Sequence, residues 1–98
     1  MIVKVHRNDE NIILAVCDKE IIGKRFVEKD MQLDLTSNFY KGKEVSDDKL
    51  CYLIKKAYIV NLVGNKSVQF GIKEGIISED HVITIKKIPH AQAVIIRE

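Results

Sequence analysis

The fold is decided at the start of the chain, by the stretch Ile2-Val3-Lys4-Val5-His6-Arg7-Asn8-Asp9-Glu10-Asn11-Ile12-Ile13-Leu14-Ala15-Val16. Two runs of β-branched and aliphatic residues lie on either side of Asn8-Asp9-Glu10, a polar cluster that suits a tight turn. We therefore predict an N-terminal β-hairpin. A third strand is predicted at residues 31–36, where apolar and polar side chains alternate with the period of two that is typical of a strand with one solvated face.

The middle of the chain predicts two main helices, at about residues 46–58 and 65–75. The first begins at Ser46, a residue type that caps helices, and its apolar side chains recur at spacings of three and four. The second begins at Asn65, a good helix cap, and ends at Gly75.

The remaining apolar runs complete an α+β fold. Residues 81–86 and 93–96 are predicted strands, joined by a segment that contains Pro89. With the hairpin they give a mixed or largely antiparallel sheet, and the two helices pack on one side of it. The length of 98 residues fits a single domain, residues 1–98.

The composition is that of an ordinary folded protein, with 46% hydrophobic and 31% charged residues and a formal net charge of +2. No apolar run approaches the roughly 18 residues of a membrane span, and the N-terminus does not resemble a signal peptide, so we expect a cytoplasmic protein without a membrane partner. Cys17 and Cys51 lie in apolar surroundings, so we expect small buried side chains rather than a disulfide.

Gly64-Asn65-Lys66-Ser67 places glycine, lysine and serine at the start of a predicted helix, where free N–H groups attract anions. The spacing is not that of a Walker A loop, which needs lysine directly after glycine and an earlier glycine as well. We therefore predict no nucleotide hydrolysis here, and only a weaker anion contact that includes Lys66.

The histidines and cysteines show none of the paired spacings that mark a metal site, so we predict no metal and no cofactor. Among these residues His90 is the strongest candidate for a functional role, because an imidazole titrates near neutrality and Pro89 restricts its backbone. Three roles stay open for it: a structural hydrogen bond to Asp18 or Glu20, binding of a ligand, and acid/base catalysis. Asp18 is also expected to cap a short helical turn at residues 19–22.

Phe39-Tyr40-Lys41-Gly42-Lys43 places two aromatic residues beside two lysines, a combination that suits stacking on bases and contact with phosphates. A core aromatic next to a solvated lysine turn would give the same pattern. Lys41 and Lys43 are therefore candidate phosphate contacts, together with Lys66.

Four segments share their order and spacing with a known family. They are Ala15-x-Cys17-Asp18-x-Glu20-x-x-Gly23-Lys24, Phe39-Tyr40-x-Gly42, Asn61-Leu62-Val63-Gly64 and Pro89-His90-Ala91-Gln92. In them the chain resembles the archaeal domain-of-unknown-function family numbered 424, over nearly its whole length. The resemblance implies a small archaeal cytoplasmic protein with no assigned reaction and a link to translation or RNA handling. The matching polar residues form the predicted binding site: Cys17, Asp18, Glu20, Asn61, His90 and Gln92.

The leading hypothesis is a non-catalytic module that binds RNA or a ribonucleoprotein partner. In it His90 and Gln92 give directed hydrogen bonds, and the lysines of residues 39–43 contact phosphates. A first alternative is a small hydrolase-like enzyme in which Asp18 or Glu20 orients the imidazole as a general base. A second alternative is a protein adaptor or homodimer that uses a sheet edge at residues 91–96, where few polar residues protect the strand.

Overall fold

The computed structural model describes residues 1–96, which form a main sheet covered by other elements on both faces. The strands of the protein are β1 (Ile2–Asn8), β2 (Asn11–Cys17), β3 (Arg25–Glu28), β4 (Met31–Asp34), β5 (Lys43–Glu44), β6 (Ile59–Val63), β7 (Ile83–Ile85) and β8 (Ile88–Val94). The helices are α1 (Asp47–Ile54) and α2 (Asn65–Lys73). The order across the main sheet is β5-β1-β2-β6-β8-β7, while β3 and β4 form a separate two-stranded sheet. Among the strands of residues 1–96, only β2 and β6 are parallel neighbours, so the predicted α+β class with a mixed sheet is confirmed.

The predicted N-terminal hairpin is formed by β1 and β2. Their register pairs Asn8 with Asn11, which leaves a two-residue turn of Asp9 and Glu10. Asp9 has a φ of 56°, a left-handed conformation that aspartate tolerates better than most residues. The polar cluster therefore does form the tight turn.

The two faces of the main sheet carry different layers. Both helices pack on one of them, the helix face, where Leu50 of α1 and Val68 of α2 join Val16 and Leu62 in one core. The opposite face is covered in part by the hairpin of β3 and β4, and we call it the hairpin face after this second hairpin. Leu33 of β4 packs there against neighbouring core residues. Each fully buried side chain of this size contributes about 1.5–3 kcal/mol, so both layers help to hold the sheet.

Both predicted helices form, and both lie on the same side of the sheet. The Ser46 hydroxyl oxygen accepts a hydrogen bond from the Lys49 N–H at 3.2 Å, as expected of a helix cap. α1 ends at Ile54, four residues before its predicted end, because the chain returns to the sheet, where the Tyr58 N–H donates to the Ile12 carbonyl at 2.8 Å. Within the described part of the chain, no helix has the length and apolar character that crossing a membrane requires.

The sequence prediction missed β6, the strand between β2 and β8. No strand is predicted for the residues between the two helices, 59–64. Val60, Leu62 and Val63 are fully buried. A strand buried on both faces is a short apolar run without alternation, and such a run does not differ in pattern from the end of a helix.

β8 begins earlier than predicted and contains the Pro-His-Ala-Gln element, which was expected to be a connection. Pro89 fits in a strand because the ladder with β6 ends at the pair of Val63 and His90, one residue away. The missing N–H of proline therefore costs no hydrogen bond in that ladder. The Pro89 carbonyl still accepts from the Gly64 N–H at 2.9 Å.

Candidate functional site

Parallel pairing of β2 and β6 brings the two polar ends of these strands together. The C-terminal ends of parallel neighbours lie at the same edge of a sheet, and here Cys17 pairs with Val63. The Asp18 N–H donates to the Val63 carbonyl at 3.0 Å. Asp18 therefore lies beside Gly64, the residue that precedes α2.

The Asp18 carboxylate caps the N-terminus of α2. Oδ2 accepts a hydrogen bond from the Lys66 N–H at 2.9 Å, and Oδ1 accepts from the N–H and the hydroxyl of Ser67, both at 2.7 Å. Asp18 is 6% exposed and Ser67 is fully buried. Gly64 has a φ of 107°, and a Cβ on it would lie 2.3 Å from Asp18 Cγ, so only glycine fits against this carboxylate.

This Asp18 cap corrects two predictions. A 3₁₀ turn does form at Lys19–Ile21, but the Asp18 side chain makes no capping bond to it. Asn65 does not cap α2, because Gly64 holds that position and supplies no side chain. A carboxylate gains more at the start of a nine-residue helix than at a single turn, since more aligned peptide dipoles point at it.

Lys66 does not offer the free phosphate contact that was predicted. Its ammonium forms an ion pair with Glu20 Oε1 at 2.8 Å, between two exposed side chains. The hydrogen bond from Lys66 lowers the pKa of Glu20, and the same bond raises the pKa of Lys66. The N–H groups of Lys66 and Ser67 already bind the Asp18 carboxylate, so a protein group fills the place of an anion.

The segments of Asp18 and His90 meet in space, but their side chains do not. Val63 separates them in the sheet, and it pairs with Cys17 on one side and with His90 on the other. His90 therefore shares the hairpin face with Cys17, whereas the Asp18 carboxylate lies at α2, on the helix face.

His90 lacks the partner that a general base would need. Its Nε2 atom is buried and has no hydrogen-bond partner among residues 1–96. Burial lowers the pKa of His90. A catalytic base is usually held by a carboxylate, and both candidate carboxylates are bonded to α2 residues instead. The arrangement required by the hydrolase alternative is therefore not formed.

The two cysteines are free thiols with different surroundings. Cys17 is fully buried, and burial, helped by the charges of Asp18 and Glu20, raises its pKa to about 12. Such a thiol is not a nucleophile at neutral pH. Cys51 is only half-buried, which corrects the expectation of burial, and its thiol donates to Glu74 at 3.2 Å. No group of three or more His, Cys, Asp and Glu residues within 1–96 is placed to hold a metal ion.

Asn61 and Gln92 are direct neighbours in β6 and β8. Strand alternation puts both on the hairpin face with Cys17 and His90. Gln92 is exposed and Asn61 half-buried, and neither side chain makes a hydrogen bond within residues 1–96. Four of the six predicted binding residues thus share one face, while Asp18 and Glu20 lie at the start of α2.

A pocket of about 520 Å³ at the edge of the sheet formed by β1 and β5 has four lysines among its lining residues. The apolar part of its lining comes from β1, α1 and the segment between β5 and α1. Neither aspartate nor glutamate lines it. We call this pocket the lysine cleft, after its residues Lys4, Lys41, Lys43 and Lys49.

An exposed aromatic ring continues the lysine cleft along α1. Tyr52 is 51% exposed and lies one turn after Lys49. The ammonium groups of Lys49 and Lys56 lie 5.3 and 4.8 Å from the centre of its ring. The hydrogen bond with Lys56 lowers the pKa of Tyr52, a sign of the local positive charge.

The loop that carries Lys41 is attached tightly to β1. The His6 ring stacks on Phe39 with 4.5 Å between centroids, and His6 Nε2 donates to the Phe39 carbonyl at 2.9 Å. A Cβ on Gly42 would lie 2.0 Å from the Val3 carbonyl oxygen, so glycine is required where the loop passes β1. Tyr40 is buried, as one alternative for this segment expected, and Phe39 is partly exposed.

Sequence reasoning found Lys41 and Lys43 but missed Lys4, Lys49 and Tyr52. A partial signal was present, because Lys49, Tyr52 and Lys56 recur at helical spacings of three and four. The place of Lys4 in the lining of the pocket depends on the pairing of β1 with β5, which a single sequence does not reveal.

Comparison with known proteins gives a family and a fold. The family model described as "Protein of unknown function (DUF424)" matches residues 6–96. A crystal structure of an uncharacterized conserved protein from Methanopyrus kandleri is similar, with a TM-score of 0.81 and 23% sequence identity, covering 99% of this chain and 93% of the other. No curated protein matches the chain. The structural likeness shows the fold and leaves the function open.

Proposed function

This chain belongs to the family of proteins of unknown function DUF424, and from that premise we propose that it is a non-catalytic module that binds single-stranded RNA through the lysine cleft. One observation carries the proposal: four lysines are among the residues that line an apolar pocket, and no acidic residue lines it. The formal net charge of the chain is only +2, so its surface as a whole does not attract a polyanion strongly. A local excess of positive charge, as at the lysine cleft, is therefore needed to bind one.

The charges of the cleft are available to a ligand. The ion pairs within residues 1–96 join Lys19 to Glu44 and Lys66 to Glu20, and they include no lysine of the cleft. Lysine ammonium groups bind phosphates as flexible point charges, which suits a backbone of variable path. Glu44 directly follows Lys43, but its carboxylate is paired with Lys19. It therefore competes less with a phosphate for the Lys43 ammonium group.

Tyr52 favours a single strand over a duplex as the ligand. An unstacked base can lie on an exposed aromatic ring, and such stacking contributes about 1–3 kcal/mol per base. Lys49 and Lys56, whose ammonium groups lie near the ring, would then move to the phosphates of that nucleotide. In a duplex the bases are stacked on one another and their faces are not accessible.

The proposed contacts differ from those first expected. His90 and Gln92 lie on the hairpin face, and His90 Nε2 is buried, so they do not join the cleft. We therefore assign the RNA contacts to the lysines and to Tyr52.

The test is fluorescence anisotropy with a labelled 12-nucleotide oligouridine. Phosphate contacts from Lys41, Lys43, Lys49 and Lys56 on a single strand predict a slope of about −2.8 for log affinity against log salt. Raising the salt from 50 to 200 mM should then weaken binding about 50-fold. The double variant Lys41→Gln/Lys43→Gln should halve the slope, and Tyr52→Ala should weaken binding about tenfold while Tyr52→Phe preserves it.

The matched control is Lys86→Gln/Lys87→Gln, which removes the same charge from the exposed turn between β7 and β8. It should leave binding nearly unchanged. Duplex RNA and single-stranded DNA of equal length test the assigned class. Undetectable binding at 50 mM salt, or an equal loss in the control, would refute the proposal.

A further inference from the structure

The outer side of β8 is paired with another strand over only half its length. β7 pairs with it from Ile88 to His90. Beyond that point, Gln92 and Val94 have no strand partner on this side among residues 1–96. The sheet edge predicted at residues 91–96 is therefore open where β8 continues past its pairing with β7, at residues 91–94.

The hydrogen bonds on the inner side show which backbone groups face outward. The Gly64 N–H donates to the Pro89 carbonyl, and the Ile95 N–H donates to the Tyr58 carbonyl, so the odd-numbered residues of this strand point toward β6. Antiparallel pairing alternates strictly, and the even-numbered residues point to the other side. Gln92 and Val94 therefore direct two N–H and two C=O groups away from the sheet.

The other edges of the main sheet within residues 1–96 are protected, and this one is not. β5 and β7 have only two and three residues. The part of β1 that extends past β5 carries Lys4 and Arg7, whose charges oppose pairing. In contrast, the open part of β8 has the sequence Ala-Gln-Ala-Val, with no charge and no proline, and Val94 is 52% exposed.

We propose that a second copy of this chain covers the edge. Two β8 strands pair in antiparallel orientation about a two-fold axis at Ala93, so that Gln92 of one copy lies opposite Val94 of the other. In this register the outward groups of both copies form four main-chain hydrogen bonds. An isologous contact must be self-complementary, and a segment without charges meets its own copy without repulsion.

The pairing joins two six-stranded sheets into one and leaves the lysine cleft free, because the cleft lies at the β5–β1 end of the strand order. The proposal is independent of RNA binding. A contact this short buries less than the roughly 1,200 Å² of a standard interface, so we expect a weak dimer that is populated at about 0.1–1 mM protein.

Sedimentation equilibrium of the RNA-free protein from 10 µM to 1 mM tests the inference. The apparent mass should rise toward twice that of one chain. Val94→Lys should weaken the association at least tenfold, because it puts a charge beside the axis. The matched control Val27→Lys makes the same change at another exposed strand position and should leave it within twofold.

A second measurement uses the wild-type protein alone and stands even if Val94→Lys does not fold. In a mixture of ¹³C-labelled and unlabelled copies, the Ala93 Hα atoms should give an intermolecular NOE, since the two Cα atoms of such a pair lie about 4.5 Å apart. A protein that stays monomeric at 1 mM overturns the proposal. So does a dimer that lacks this NOE.

Discussion

Replacing Asp18 by alanine tests whether the Asp18 cap holds α2 on the sheet. The carboxylate accepts three hydrogen bonds while only 6% of the residue is exposed. Its loss removes a helix cap, at about 0.5–2 kcal/mol, and leaves the buried donors of Ser67 and the part-buried N–H of Lys66 unpaired, at about 1–3 kcal/mol. The two costs overlap, and we expect the free energy of unfolding to fall by about 3 kcal/mol. Domains of this size have about 5–15 kcal/mol, so the loss is large.

The assay is urea denaturation followed by far-ultraviolet circular dichroism. Asp18→Asn keeps the shape and one acceptor oxygen, so its midpoint should lie between those of the wild type and Asp18→Ala. Glu20→Gln is the control, because it breaks only an exposed ion pair with Lys66, and no resolvable change is expected. If Asp18→Ala shifted the midpoint no more than Glu20→Gln does, the cap would not stabilise the fold.

Two further predictions concern buried titratable groups. Burial lowers the pKa of His90 below its ordinary 6.5, so the unfolded chain binds more protons than the native one as the pH drops below that value, and stability falls there. His90→Gln should therefore flatten the dependence of the unfolding free energy on pH between 7 and 5 in urea titrations, and an unchanged dependence would contradict this. Cys17 is fully buried with a pKa of about 12, so a thiol reagent at pH 8 should react only with Cys51 in the native protein. In urea it should react with both cysteines. Reaction with two thiols in the native protein would contradict the burial of Cys17.

The parts of the fold that the sequence predicts are those with local causes. The hairpin follows from two β-branched runs and a turn within 17 residues of the N-terminus. The start of α1 follows from Ser46, whose hydroxyl reaches an N–H three residues on. In each case the residues that interact are close in sequence, and their types alone limit the geometry.

The parts that could not be predicted depend on contacts between distant segments. The Asp18 cap joins Asp18 to two residues that lie 48 and 49 positions later in the chain, and it exists only because β6 lies parallel to β2. Since β6 was not recognised as a strand, no argument could place Asp18 at α2. The lysine cleft likewise joins lysines from β1, β5 and α1. The four predicted residues on the hairpin face were found as a group because of a family resemblance rather than by any geometric reasoning.

The Asp18 cap also bears on the order of folding. α2 has no capping side chain of its own, since Gly64 precedes it, and an isolated helix of nine residues is marginal in water. Its first turn is completed only when β2 and β6 have aligned, which requires closing a loop of 48 residues. We therefore expect helix and sheet to form in one cooperative step rather than in sequence, and a chain interrupted before α2 would lack the amide donors that its own Asp18 carboxylate binds.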